Sequence, residues 1–177
     1  MTLNVFTGQG NYGVARVVKG HPSHAEILQH TLRETDKREC MISNVTPWRA
    51  LMAPLQNKEA ETFTALVDGE PVMMFGAVPE HDLVGSIWML CSEVVDKHPK
   101  TFIKWSPAFL DYFQQKYFLL QNVCPVEHYK TLTWLGYLGF MIMPKSFELN
   151  GYQVLRFVRC QDLEFMQFND DIRPVIS

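Results

Sequence analysis

Several things are scarce in this chain, and each scarcity excludes a class of protein. Cys40, Cys91, Cys124 and Cys160 are widely scattered, with no CxxC pair. Cys91 and Cys124 lie in apolar runs, where a free thiol behaves as a small hydrophobe. The expectation is therefore a reduced, intracellular protein and not a disulfide framework. Basic charge is not in excess: the net charge is −3 and the pI about 6.1. Such a surface gives no electrostatic case for binding nucleic acid or an anionic membrane. No apolar run approaches the ~18–20 residues that span a bilayer. The opening MTLNVFTGQGNYG has no basic region followed by an apolar one, so no signal peptide is expected. His21, His24 and His30 lack a second ligand cluster, so no metal is expected.

What is present is a globular composition. Hydrophobic residues make up 47% of 177 and charged residues 20%, enough for one domain with a packed core. The most informative stretch runs from Lys116 to Phe140. Phe118–Cys124 is a short apolar run ending at Pro125, which reads as a buried strand. His128, Leu132, Leu135 and Leu138 then recur at helical spacing. Gly139 is placed to end that helix, and Phe140 restarts a strand.

Around this stretch the elements read in order. Met1–Gly13 is aperiodic and reads as an arm, with Val14–Val18 as a first strand. Ala25–Arg38 has one apolar helical face, and Thr46-Pro47 is a cap followed by a first helical position, leading Trp48–Leu55. Phe63–Val67 and Pro71–Val78 flank Asp68-Gly69, a hairpin signal, and Gly85–Cys91 is a further strand. Pro99–Tyr117 has helical spacing, with Pro107 either kinking it or starting a second helix. Asn150-Gly151 marks a turn between Phe140–Leu149 and Tyr152–Arg159. The expected division is an arm over 1–13, a domain over 14–160 and a tail over 161–177. Strands followed by helix-linked strands predict an α/β (α+β) fold, a mixed and mostly antiparallel sheet with helices on both faces.

Buried strand, short helix, Gly-Phe and strand, in that order, resemble the acceptor half of the GNAT acyltransferase superfamily. The element order resembles it over about 14–159. The stretches ETFTALVDGEPVMMFGAV, DYFQQKY, HYKTLTWLGYLGF and ELNGYQVLRFV are also similar in texture to the internal virion protein A family of T7-like podophages. That resemblance covers about 61–159. It implies a degenerate GNAT-like fold in a protein tied to phage head assembly, placed in the virion or the host cytoplasm. It also implies action through protein contacts.

The superfamily resemblance implies a pyrophosphate cradle, Q/R-x-x-G-x-G/A, directly after the fourth strand. Here the stretch is Cys91-Ser92-Glu93-Val94-Val95-Asp96-Lys97-His98-Pro99, without glycine and with two acids. Side chains obstruct close approach to the backbone and carboxylates repel phosphate, so no cofactor is expected. If acetyl-CoA is nevertheless used, the positions available to it are Leu90, Ser92, Lys97, His98 and Lys100. The family's Tyr general acid, four residues before the Gly of Gly-Phe, corresponds to Leu135. Tyr137 lies about 200° further round the helix. The Asn that opens that helix corresponds to His128. Glu93, His128 and Tyr137 are the catalytic candidates if the chain is an enzyme, with Glu127 a second possible base. A Cys–His nucleophile from Cys91 or Cys124 with His128 is the weaker alternative.

The tail interleaves Leu163, Phe165, Met166, Phe168, Ile172 and Val175 with four acids. Burying a Phe or Leu is worth about 1.5–3 kcal/mol, so the tail is expected to dock on another virion protein through Leu163, Phe165 and Phe168.

Overall fold

The computed structural model describes residues 5–10 and 13–162; the expected tail anchors Leu163, Phe165 and Phe168 lie outside them. In chain order the strands and helices are β1 (Val5–Gly10), β2 (Gly13–Lys19), α1 (Pro22–Leu28), α2 (Glu34–Ile42), α3 (Pro47–Gln56), β3 (Glu61–Val67), β4 (Glu70–His81) and β5 (Val84–Cys91). There follow α4 (Val94–Lys97), α5 (Pro99–Lys116), β6 (Leu119–Pro125), α6 (Tyr129–Tyr137), β7 (Met141–Ile142), β8 (Phe147–Leu149) and β9 (Tyr152–Cys160). The strands form one nine-stranded sheet in the order β1-β2-β3-β4-β5-β6-β9-β7, with β8 also on β9. Among the described pairs only β5–β6 is parallel, so the expected mixed, mostly antiparallel sheet is the one observed.

Local chemistry accounts for much of this. Asp68 and Gly69 take φ of 52° and 88°, and Asn150 and Gly151 take 49° and 85°, so both two-residue turns use two left-handed residues. That twist matches the twist of the strands they join. Thr46 accepts from the Arg49 N–H at the start of α3. Gly139, at φ 84°, ends α6: its N–H donates to the Gly136 carbonyl and that of Phe140 donates to Leu135. This pair of bonds satisfies the last carbonyls of the helix.

Three sequence expectations are corrected, and the choice left open at Pro107 is decided. Val5–Gly10 is not part of an arm but a strand, paired antiparallel with β2. The single helix expected over Ala25–Arg38 is two, because the chain between them turns to meet β5. Leu32 bridges Ser92, and the Arg33 N–H donates to the Cys91 carbonyl. Pro107 sits inside one continuous helix, α5. Phe140–Leu149 is interrupted, giving the short strands β7 and β8.

Two apolar layers cover the sheet. On one face Leu28, Leu32, Cys40 and Leu51 of the α1–α3 segment meet Met74 and Leu90. On the other, α5 and α6 bring Phe102, Trp105, Phe109, Phe113 and Leu135 against Phe63, Ala65, Met73 and Phe157.

Candidate active site at a fork in the sheet

The parallel strands β5 and β6 pair only at Val84–Leu119, Gly85–Leu120 and Ser86–Gln121. Gly85 is glycine because the Tyr117 ring lies over it, 2.6 Å from where a Cβ would be. Beyond Ser86 the strands part. The Asn122 amide donates to the Ile87 carbonyl at the point of divergence, and Asn122 Oδ1 accepts from the Val123 N–H.

A cavity of about 420 Å³ opens at this fork. Ile87, Trp88 and Met89 of β5 form one wall, and Asn122, Val123 and Cys124 of β6 the other. On one face of the sheet it is lined by α5 and α6 through Phe102, Trp105, Trp134 and Leu135. On the other it meets Arg33, Asp36 and Glu39 of α2. The cleft therefore passes through the sheet, apolar on the α5–α6 side and charged on the α2 side.

The charged end is anchored tightly. Asp36 is 2% exposed and accepts from the Cys91 N–H at 3.0 Å, holding α2 to the end of β5. Arg33 pairs with Asp36 and with Asp96, at 2.9 Å from the latter. Burial alone would lower the Arg33 pKa, but these carboxylates raise it well above its usual value. One turn further along α2, Glu39 accepts from or pairs with His128 Nδ1 at 3.0 Å. Burial and the neighbouring Asp36 push the Glu39 carboxyl up, against the opposing pull of His128 and Arg33.

Cys124 is next to this pair: one donor atom each of Glu39, Cys124 and His128 lies within 4.8 Å of the others. Burial, then Glu39 and Glu127, push the Cys124 thiol up to about 12. With no cation beside it the thiol keeps its proton at neutral pH and is a poor nucleophile. Burial pushes Cys91 up further still.

The residues singled out from sequence are dispersed. His128 stands at the start of α6 behind Glu39, with its side chain 8% exposed. Tyr137 is 76% exposed, and Glu93 is exposed at the start of α4; neither lines the cleft. Glu127 pairs with Arg38 at 2.9 Å. Leu90 packs with the α1–α3 layer, Ser92 is buried, and Lys97 and Lys100 are exposed with His98 half-buried between them. None of these five lines the cleft. Glu39 was missed. It sits in a charged stretch, ETDKRE, that reads as a solvated helix face, and only its packing against the fork distinguishes it.

No protein-family model matches the chain, and no curated protein does. Solved structures do. RimL, a ribosomal alpha-N-protein acetyltransferase in complex with coenzyme A, is similar with a TM-score of 0.62 at 11% identity, over 87% of this chain and 97% of that one. An acetyltransferase of the GNAT family from Bacillus anthracis gives 0.62 at 10%, over 82% and 94%. An aminoglycoside acetyltransferase in complex with coenzyme A gives 0.61 at 12%, over 83% and 95%. The fold is that of the GNAT acetyltransferases. At these identities the likeness establishes the GNAT architecture alone. No comparison connects the chain with the internal virion proteins.

The GNAT fold implies coenzyme A, and the residues here fit it more fully in one part than in another. The cleft is long and apolar, and two of its lining residues, Trp88 and Trp134, have buried indole N–H groups without a hydrogen-bond partner. Those donors suit the amide and thioester carbonyls of an acyl-pantetheine arm. The diphosphate position is served less fully by the backbone. In the loop after β5 the N–H groups of Ser92, Val95, Asp96 and His98 already donate to carbonyls of the chain, and Pro99 has none.

Proposed function

We propose that the chain is an N-acyltransferase, moving an acyl group from a pantetheine thioester to an amine at the fork between β5 and β6. The observation that carries this reading is the cleft itself, which runs through the sheet from an apolar channel to Glu39. Beyond Ser86 the facing edges of β5 and β6 no longer pair with each other. An extended arm bearing amides satisfies such edges as an added strand does. The arm, when bound, supplies the activated acyl group. The chain's own residues do the rest.

Glu39 is assigned the general base. Its raised pKa brings it nearer the operating pH, where a base both is ionised and takes a proton readily. It accepts a proton from the ammonium or the attacking amine, and His128 holds the carboxylate in place. Asp36 and Arg33 position α2 and with it Glu39. The aromatic walls of Phe102, Trp105 and Trp134 exclude water that would otherwise hydrolyse the thioester. Leu135 stands where the superfamily has its acid, so the leaving thiolate takes its proton from another source.

A second reading is favoured by one observation, the closed loop after β5. It makes the chain a GNAT-like fold kept for protein contacts, as its resemblance to internal virion proteins implies, with the tail as docking segment. Thiol release decides between the two. Acetyl-CoA and acetyl-pantetheine are offered with a panel of amines, including peptide N-termini and aminoglycosides. Amine-dependent thiol release, lost in Glu39→Gln, supports acyl transfer. Absence of both release and donor binding in calorimetry supports the second reading.

A further inference from the structure

Cys124, Pro125, Val126, Glu127 and His128 make a tight turn at the end of β6, closed by the His128 N–H donating to the Pro125 carbonyl at 3.0 Å. The turn brings an imidazole back toward the thiol, and α2 adds the Glu39 carboxylate. We propose that Glu39, Cys124 and His128 bind one zinc ion, with its fourth coordination position open to the cleft.

The geometry is close to what such an ion needs. The three donor atoms lie within 4.8 Å of one another, with His128 Nδ1 at 3.0 Å from Glu39 Oε1. Tetrahedral zinc at ordinary bond lengths sets its ligand atoms about 3.3–3.6 Å apart, so movements of about 1 Å complete the set. The Glu39 side chain is 34% exposed and has room to make them. Its backbone is fixed, because Asp36 ties α2 to the Cys91 N–H, and Cys124 is held in the β6–β9 ladder opposite Leu155. Ligands on an anchored helix and a paired strand keep their places before the metal arrives.

The chemistry and the access agree with this. Thiolate, imidazole and carboxylate together suit zinc, whereas calcium and magnesium take oxygen ligands. Arg33 is occupied by Asp36 and Asp96, and Arg38 by Glu127; among the described residues no lysine or arginine pairs with Glu39. Cys124 Sγ donates to the Pro125 carbonyl at 3.7 Å, and a bound cation displaces that proton. Thiolate and carboxylate then neutralise the ion between them. Glu39 and Cys124 line the cleft, so the uncovered side of the set faces the channel. Three protein ligands and one open position are the arrangement of zinc sites that exchange a ligand. Zinc takes up the carboxylate that the acyl-transfer reading uses as its base, so on that reading it switches transfer off.

Co2+ and Zn2+ titrated into the reduced, chelator-stripped full chain test the site. One Co2+ per chain should give a sulfur-to-cobalt charge-transfer band and the visible absorption of a tetrahedral ion, both removed by Zn2+. C124S abolishes the charge-transfer band. E39Q and H128Q each weaken Zn2+ binding by about tenfold or more, as loss of even a group behind a ligand does. E39Q keeps the side-chain size at a partly exposed position, so it reads the site even if C124S fails to fold. C160S and H21A leave the band unchanged. A band that survives C124S, or one that disappears with Cys160 or His21, overturns the proposal, as does unaltered Zn2+ affinity in E39Q. Thiol release is followed on the same samples, where one equivalent of Zn2+ should suppress it and a chelator restore it. Zn2+ binding without any amine-dependent release keeps the metal site and removes acyl transfer; release without Zn2+ binding does the reverse.

Discussion

Glu39 on α2 and His128 at the start of α6 meet at 3.0 Å across the fork, although 89 positions separate them in the chain. The contact ties the helical layer on one face of the sheet to the start of α6 on the other. It places a carboxylate of raised pKa at the charged end of an otherwise apolar cleft.

Acyl transfer should therefore rise with pH along an acid limb above the usual carboxylate range. The sign follows from the base being the ionised form: below the Glu39 pKa the group is protonated and idle. Glu39→Gln should lower the rate by about 10²-fold or more and remove the limb, as read from initial rates of thiol release across pH. An unchanged limb in that variant would assign the base elsewhere.

Asp36→Ala tests the anchor beneath it. The substitution leaves the Cys91 N–H without its acceptor and Arg33 without its principal partner. A cost of roughly 3 kcal/mol is expected, read as a lower urea midpoint. A loss below about 0.5 kcal/mol would mean that α2 is held by packing alone.

Leu135 is 5% exposed and belongs to the core, but it also lines the cleft. Leu135→Ala should cost about 2 kcal/mol, the low end for a buried leucine, because the space it leaves joins a cavity already present. Urea denaturation measures it, and no change in midpoint would show position 135 to be an open wall.

Tyr112 donates to Glu61, which also pairs with Lys116 at 2.9 Å. The hydrogen bond to Glu61, then burial, push the Tyr112 phenol up to about 12. One tyrosine should accordingly ionise late in an ultraviolet difference titration, and Glu61→Gln should return it toward its ordinary value. The linked stability is complete below the unfolded phenol pKa and is lost as pH rises through about 12. For Glu61 the sign is opposite. Burial would raise its carboxyl, but Tyr112 and Lys116 hold it below its usual value, so its contribution is present above the unfolded pKa and disappears as pH falls through the folded one.

What the sequence made legible was local. Asp68-Gly69, Asn150-Gly151, Thr46-Pro47 and Gly139 announce their turns and caps because the chemistry lies within four residues. The order of elements around Gly139-Phe140 was enough for the fold. Long-range pairing was not legible. Val5–Gly10 becomes a strand only through β2, and the break between α1 and α2 exists because Leu32 and Arg33 reach the end of β5. The lining of the cleft was not legible for the same reason. His98 and Tyr137 were chosen by position relative to a motif, and Glu93 only as an acid with no spacing to support it, whereas Glu39, which lines the cleft, is brought there by a helix whose own sequence looks solvated.

The three residue pairs joining β5 to β6 also bear on how the molecule comes together in time. From β3 to β5 each strand pairs with its sequence neighbour across a tight connection, so that part forms from short closures. β6 must wait for the whole of α5 to cross over before it can find β5, and it then gains a ladder of only three pairs. The seam should be the last part of the sheet to close and the first to open. In native-state hydrogen exchange the amides of Val84–Ser86 would then exchange ahead of those in β3 and β4, with Gly85 and its overlying Tyr117 acting as the latch.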